Sequence, residues 1–186
     1  MPITRVRVTN RATVEAAAAG DPAALEALYR ELAPAVLGYL RAQGAREPED
    51  LTSETFVGVV RGLRRFRGDE GEFRSWAFSI AHRRLIDERR SLVRRPADAL
   101  PPTEIPDRAG GDVEDEALAR MGTRWATDAV ARLTSDQRDV LLLRVLADLS
   151  VEHVARILDK RPGAVKSLQR RALVALARHL DREGVS

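Results

Sequence analysis

Apolar residues recur along most of this chain at helical spacing, and no stretch alternates in the way a half-buried strand requires. The first run starts at Asp21-Pro22, an N-cap followed by a proline suited to the first turn. Leu25, Leu28, Tyr29, Leu32 and Val36 then keep to one face toward Leu40, and Pro34 inside the run predicts a kink. A second helix opens near Pro48 and carries Leu51, Thr55, Val59, Leu63 and finally Phe66 inward. A third runs from about residue 72 to 92, with Phe73, Trp76, Ala77, Ile80 and Ala81 on one side. The stretch "FRGDEGEF" between them has the glycines and acids of a loop. Residues 1–20 show no comparable period and predict a loose arm.

The pattern lapses over residues 93–116, where four prolines and a Gly-Gly pair predict a linker without a core of its own. It resumes at 117 with an amphipathic run through Leu118, Met121, Trp125 and Ala129. Thr134, followed three residues later by Gln137, predicts a capping box. Ser150 then caps a short helix whose Val151, Val154, Ala155 and Leu158 form a single stripe. Asp159-Lys160-Arg161 makes the turn, and aspartate tolerates the left-handed backbone such a turn demands. Pro162 and Gly163 open the next helix. Its Val165, Leu168, Ala172 and Leu176 point inward, leaving Gly163, Lys166, Ser167 and Arg170 opposite. The expected fold is all-α: an arm (1–20), a helical domain (21–92), a flexible linker (93–116) and a second helical domain (117–186).

Aromatics make up only 4% of the 186 residues, which agrees with helices rather than sheet. With no cysteine, the chain has neither a disulfide frame nor a cysteine-ligated metal site. No apolar run approaches the roughly eighteen residues that span a bilayer, so direct membrane insertion is not expected and a cytoplasmic protein is. A net charge of only +3 hides a block pattern. Residues 61–95 hold eleven arginines against five acids, residues 96–118 seven acids against one arginine, and residues 156–182 eight cations against two acids. Two anion-binding units separated by an acidic connector would produce this pattern.

The helix pair at 150–176 suits either an ordinary helical hairpin with a solvated face or a helix-turn-helix, in which the second helix enters the major groove N-terminus first. Gly163 and Ala164 permit close approach, Lys166 and Arg170 donate to guanine or phosphate, and Ser167 serves either. Catalytic chemistry has no comparable support. His82, His153 and His179 are scattered without the spacing of a metal site or nucleophile–base pair, and no glycine-rich phosphate loop occurs. No catalytic residue, metal or cofactor is expected.

"LTSDQRDVLLLRVLADLSVEHVARILDKRPGAVKSLQRRALVAL" resembles the C-terminal domain of extracytoplasmic-function (ECF) sigma factors of the sigma-70 family. "DLTSETF" at 50–56 and "FRSWAFSIAHRRLID" at 73–87 resemble their N-terminal domain, in the right order and with a linker between. The resemblance implies a protein that binds core RNA polymerase, recognises the minus-35 and minus-10 promoter elements and promotes DNA opening. It implies that Asp50, Leu51, Glu54, Thr55 and Phe56 dock on the clamp helices of the β′ subunit, and that Val140 and Leu143 pack beside the β flap. It assigns Arg67, Asp69 and Phe73 to a loop that holds a flipped minus-10 base, with Trp76, Arg83 and Arg84 on the helix that follows the non-template strand. Arg161, Lys166, Ser167, Arg170 and Arg171 would read the minus-35 element. An anti-sigma factor clamped between the domains is a further implied partner. The pattern is departed from at Asp159 and Lys160 in the turn, at Arg83 and at Leu168.

A 26-residue connector (91–116) reaches at most ~85–94 Å when extended but averages only ~28 Å as a coil. Promoter elements two helical turns apart lie roughly 68 Å from each other, so bridging them requires an extended linker. The competing expectation is a helix-turn-helix regulator that acts without polymerase, normally through symmetric half-sites.

Overall fold

A computed structural model describes residues 10–94 and 128–183, with side chains to 179; all regular structure in these residues is helical. The first module holds α1 (Arg11–Ala19), α2 (Pro22–Ala42), α3 (Pro48–Leu63) and α4 (Glu70–Arg94). The second holds α5 (Ser135–Val145), α6 (Val151–Ile157) and α7 (Pro162–Glu183), preceded by a helical turn at 128–131. The expected linker and the stripe through Leu118, Met121 and Trp125 lie outside the described residues.

Residues 11–19 form a helix packed on α2, a correction to the loose arm expected of 1–20. Asn10 caps it by accepting from the Thr13 amide at 2.9 Å, and Gly20 ends it at φ +100°. Its interior is mostly alanine, a strong helix former that leaves little polar–apolar contrast to detect. Helix α2 starts as expected, with Asp21 accepting from the Ala23 amide at 2.9 Å. It continues through Pro34, which faces solvent.

The first core is built on the residues that share the helical period. Leu28, Leu32, Val36, Tyr39 and Leu40 from α2 meet Val59 and Leu63 from α3 and Phe73, Ala77, Phe78, Ala81 and Leu85 from α4. Each fully buried Leu or Phe contributes about 1.5–3 kcal/mol, while Ala77 and Ala81 keep the α4 stripe thin enough for close packing. Asp69 and Glu72 form a capping box at the start of α4: Glu72 N donates to Asp69 Oδ1 at 2.8 Å, and Asp69 N to Glu72 Oε2 at 3.1 Å.

In the second module the capping box at Thr134 and Gln137 and the Ser150 cap are both formed. Asp159 adopts φ +51°, and Lys160 N closes the turn by donating to Ala155 O at 2.9 Å. Arg138 gathers the carbonyls of Val130, Ala131 and Leu133 at 3.1, 2.8 and 3.3 Å, tying the preceding turn to α5.

The two modules touch. Helix α4 packs against α6 and α2 against α5, and one apolar cluster runs through the contact. Beside it, the Tyr39 hydroxyl lies 2.8 Å from Nδ1 of His82. Burial pushes the phenol above its ordinary range, helped by the Asp139 carboxylate, so Tyr39 stays protonated beside the imidazole. Burial also holds His82 below the ordinary ~6.5 of imidazole; Asp139 opposes this shift and Arg89 reinforces it. The folded chain therefore refuses a proton that the unfolded chain accepts. Stability from this site is complete above pH ~6.5 and is lost as pH falls from there through the depressed folded value. Thermal melts between about pH 7.5 and 5.5 should show a decline that His82→Gln, which keeps an acceptor but cannot titrate, flattens.

Candidate nucleic-acid interface

Helix α7 is supported from behind by Val165, Leu168 and Ala172, all buried, and by α5 and α6, which pack against it. That anchoring turns the opposite face outward. Arg161, Lys166, Ser167, Arg170 and Arg171 are all exposed on or just before its N-terminal half. Nothing approaches within 4 Å of where a Cβ would stand on Gly163, so the first turn is open to a ligand backbone. Arg171 Nε bonds back to Ser167 O at 3.4 Å, which steadies that side chain along the helix. Free amides at the helix start, and cations along one face, suit phosphate and base-edge contacts in a groove.

The residues expected to handle the minus-10 element divide by exposure. Arg67 is exposed on the α3–α4 loop and donates to Phe66 O at 2.7 Å and Arg64 O at 3.1 Å. Arg83 is exposed on α4, and Arg84 pairs with Glu54 of α3 at 3.3 Å. Asp69 is exposed, but its carboxylate caps α4. Phe73 is 0% exposed, so it braces the loop from within instead of offering a surface to a base. Trp76 is half-buried, stacked on Phe66 with centroids 5.1 Å apart and planes 24° apart. A Cβ on Gly62 would lie 2.6 Å from the indole, so glycine is what lets Trp76 lie flat there. Arg61, Arg64 and Arg65 are also exposed around this loop, cations that the family pattern did not single out.

The expected docking residues divide in the same way. Asp50 and Glu54 are exposed on α3, whereas Leu51, Thr55 and Phe56 are buried. Thr55 Oγ1 donates to Leu51 O at 2.7 Å, and Phe56 meets the edge of Tyr29 at 4.7 Å. The missed part of this face is apolar: Val57 and Val60 are each 47% exposed, about one and two turns beyond Glu54. An exposed valine at helical spacing from exposed acids was the available signal. Val140 and Leu143 of α5 are each 0% exposed, turned into the cluster shared with the first module.

Among the described residues no group of three or more His, Asp or Glu is placed to hold a metal ion, and no helix is long and apolar enough to cross a membrane. Exposed cations gather on the N-terminal half of α7 and around the α3–α4 loop and α4.

Two family models match the chain. Sigma-70 region 2 matches residues 28–95, and Sigma-70 region 4 matches residues 123–176. The ECF RNA polymerase sigma factor ShbA of Streptomyces griseus is 34% identical over 175 residues, which cover 89% of this chain and 92% of ShbA. Among solved structures, CnrH in complex with the cytosolic domain of CnrY superimposes with a TM-score of 0.66, at 22% identity, over 92% of this chain and 97% of that one. The sigma factor RpoE in complex with the anti-sigma factor NepR, from Bartonella quintana, does so with a TM-score of 0.63, at 18% identity, over 84% of this chain and 96% of that one. The two structures establish a shared fold, and the matched regions and the ShbA identity establish more: this chain belongs to the ECF RNA polymerase sigma factors.

Proposed function

We propose that the chain recruits core RNA polymerase to promoters by dividing the work between its modules. The second module reads the minus-35 element with Arg161, Lys166, Ser167, Arg170 and Arg171. The first reads and helps open the minus-10 element with Arg67, Arg83 and Arg84, around a loop braced by Phe73 and Trp76. The division follows the domain limits 21–92 and 117–186, with α1 added to the first and 93–116 connecting them. Polymerase supplies the catalytic chemistry, so the chain is not an enzyme and works in the cytoplasm without a cofactor.

The observation that carries this reading is the exposure of all five minus-35 residues on or just before the N-terminal half of α7, in a chain that displays further exposed arginines around the α3–α4 loop. Holding a base outside the stack costs a few kcal/mol, which contacts to the base and to the exposed strand offset without covalent chemistry. The exposed Asp50–Glu54–Val57–Val60 face of α3 is the docking surface for the β′ clamp helices, with the β flap meeting the second module. An anti-sigma factor, the kind of partner bound in the RpoE–NepR complex, would compete for such faces.

The test is binding of the purified chain to core polymerase without DNA. A stable complex weakened by Asp50→Ala and Val57→Asp, at unchanged helix content, is expected. A chain that binds DNA half-sites tightly by itself and ignores core polymerase would be a conventional regulator instead.

A further inference from the structure

Helix α3, which carries the docking face, starts without a side chain of its own to cap it. Glu47 stands at the cap position, but its carboxylate accepts no amide there, and Pro48 follows. The amides of the turn leading into α3 all find acceptors elsewhere. Gln43 N donates to Tyr39 O at 3.0 Å, Gly44 N to Arg41 O at 2.9 Å and Ala45 N to Leu40 O at 3.0 Å, all back into α2. Gly44 takes the φ of +73° that this reversal needs, which glycine adopts without strain. The next two amides turn the other way. Arg46 N donates to Oε1 and Oε2 of Glu88 at 3.2 and 3.3 Å, and Glu47 N donates to Oε1 of the same carboxylate at 3.3 Å.

Glu88 is half-buried on α4, 42 positions beyond Arg46 in the chain. A carboxylate shared by two backbone amides makes short-range, charge-assisted bonds that fix direction better than water does. One turn earlier on the same face of α4, Arg84 pairs with Glu54 of α3 at 3.3 Å. Arg41, near the end of α2, pairs with Glu49 in the first turn of α3. The start of α3 is thus held from outside, by polar groups of its neighbours. Further along, the helix is held by packing instead, since Leu51, Thr55, Phe56, Val59 and Leu63 are buried.

We propose that Glu88 is a positioning residue for polymerase docking: by holding the Arg46 and Glu47 amides it fixes where α3 begins, and with that the direction in which Asp50 leaves the helix. The proposal deepens the docking surface assigned above and rests on that reading. Asp50 follows Glu47 by three residues and so lies in the turn whose start Glu88 sets. Without the carboxylate both amides turn to water, and the first turn frays as weakly held helix ends do. Asp50 then loses its fixed direction. Val57 and Val60, about two turns or more beyond Asp50, keep theirs because buried neighbours anchor that part of α3. Glu88 does this without touching polymerase.

Affinity of the full chain for core polymerase, measured without DNA, tests the proposal in a double-mutant cycle. Glu88→Ala should weaken binding by about three- to tenfold at unchanged helix content, and hydrogen exchange at the Arg46 and Glu47 amides should quicken. Adding Asp50→Ala to it should cost little more, whereas Val57→Asp should cost as much in that background as in the parent. Glu88→Met keeps the side-chain length without an oxygen; it should match Glu88→Ala and carries the cycle if the alanine variant unfolds. Glu88→Gln keeps the Oε1 acceptor that both amides share and should recover most of the loss. Binding by Glu88→Ala equal to that of the parent overturns the proposal, as does a full additional loss from Asp50→Ala. Glu88→Gln binding as weakly as Glu88→Ala overturns it too, because the charge itself would then be a polymerase contact. A parent chain that ignores core polymerase removes the docking reading and the proposal together, which sets that failure apart from the others.

Discussion

Replacing Lys166 and Arg170 together with alanine should cost promoter complexes about 2–4 kcal/mol at the upstream element, roughly a 30- to 1,000-fold loss of affinity. Both side chains project from the exposed face of α7, while Val165 and Leu168 hold that helix from behind. Exposed positions of this kind change stability by no more than about 0.5 kcal/mol, so the melting curve should barely move. Affinity of the polymerase complex for promoter fragments, measured across a series of salt concentrations, separates two origins of the loss. Contacts to phosphate weaken all sequences alike, and each one removed lowers the salt slope by about 0.9. Contacts to base edges relax the preference at particular positions and leave the slope closer to its original value.

Phe73→Ala should act in the opposite way, through the fold. The ring is 0% exposed and meets Phe66 at 5.4 Å and Trp76 at 5.9 Å, at the point where α4 leaves the arginine-rich loop. Truncating a buried phenylalanine costs about 3–5 kcal/mol, a large share of the ~5–15 kcal/mol that stabilises a typical domain. For a module of this size the melting temperature should fall by at least ~12 °C. Circular dichroism melts of the full chain check this. A ring that stacked directly on an extruded base would leave the melt unchanged and alter base preference instead.

Features determined within a few residues were readable in advance. Ser150, the Thr134–Gln137 pair and Asp159 each act on backbone three or four positions away at most, and the structure forms the two caps and the positive φ. The outward face of α7 was readable for the same reason, since a helix has one period and its apolar stripe fixes the other side. Helix α1 escaped notice because an alanine run has helical propensity but almost no amphipathic contrast.

The docking and minus-10 sets were harder, because a family pattern names positions and does not say which of them face solvent. Leu51, Thr55, Phe56, Phe73, Val140 and Leu143 all turn inward, where they shape the surfaces offered by Asp50, Glu54 and the loop arginines. The contact between modules was the least legible feature. Gln43 and Asp139 are 96 positions apart, and an aspartate on an amphipathic helix ordinarily reads as a solvated residue. Only the folded chain reveals that it is buried against a glutamine aligned by Arg89.

As an ECF sigma factor, the chain directs core polymerase to start sites. Core polymerase mixed with the purified chain and a randomised promoter library, followed by sequencing of the transcripts, measures this directly. Transcripts from a small promoter set that shares two separated elements are expected, with the upstream preference lost in the Lys166→Ala, Arg170→Ala protein. Transcripts no different from those of core polymerase alone would contradict it.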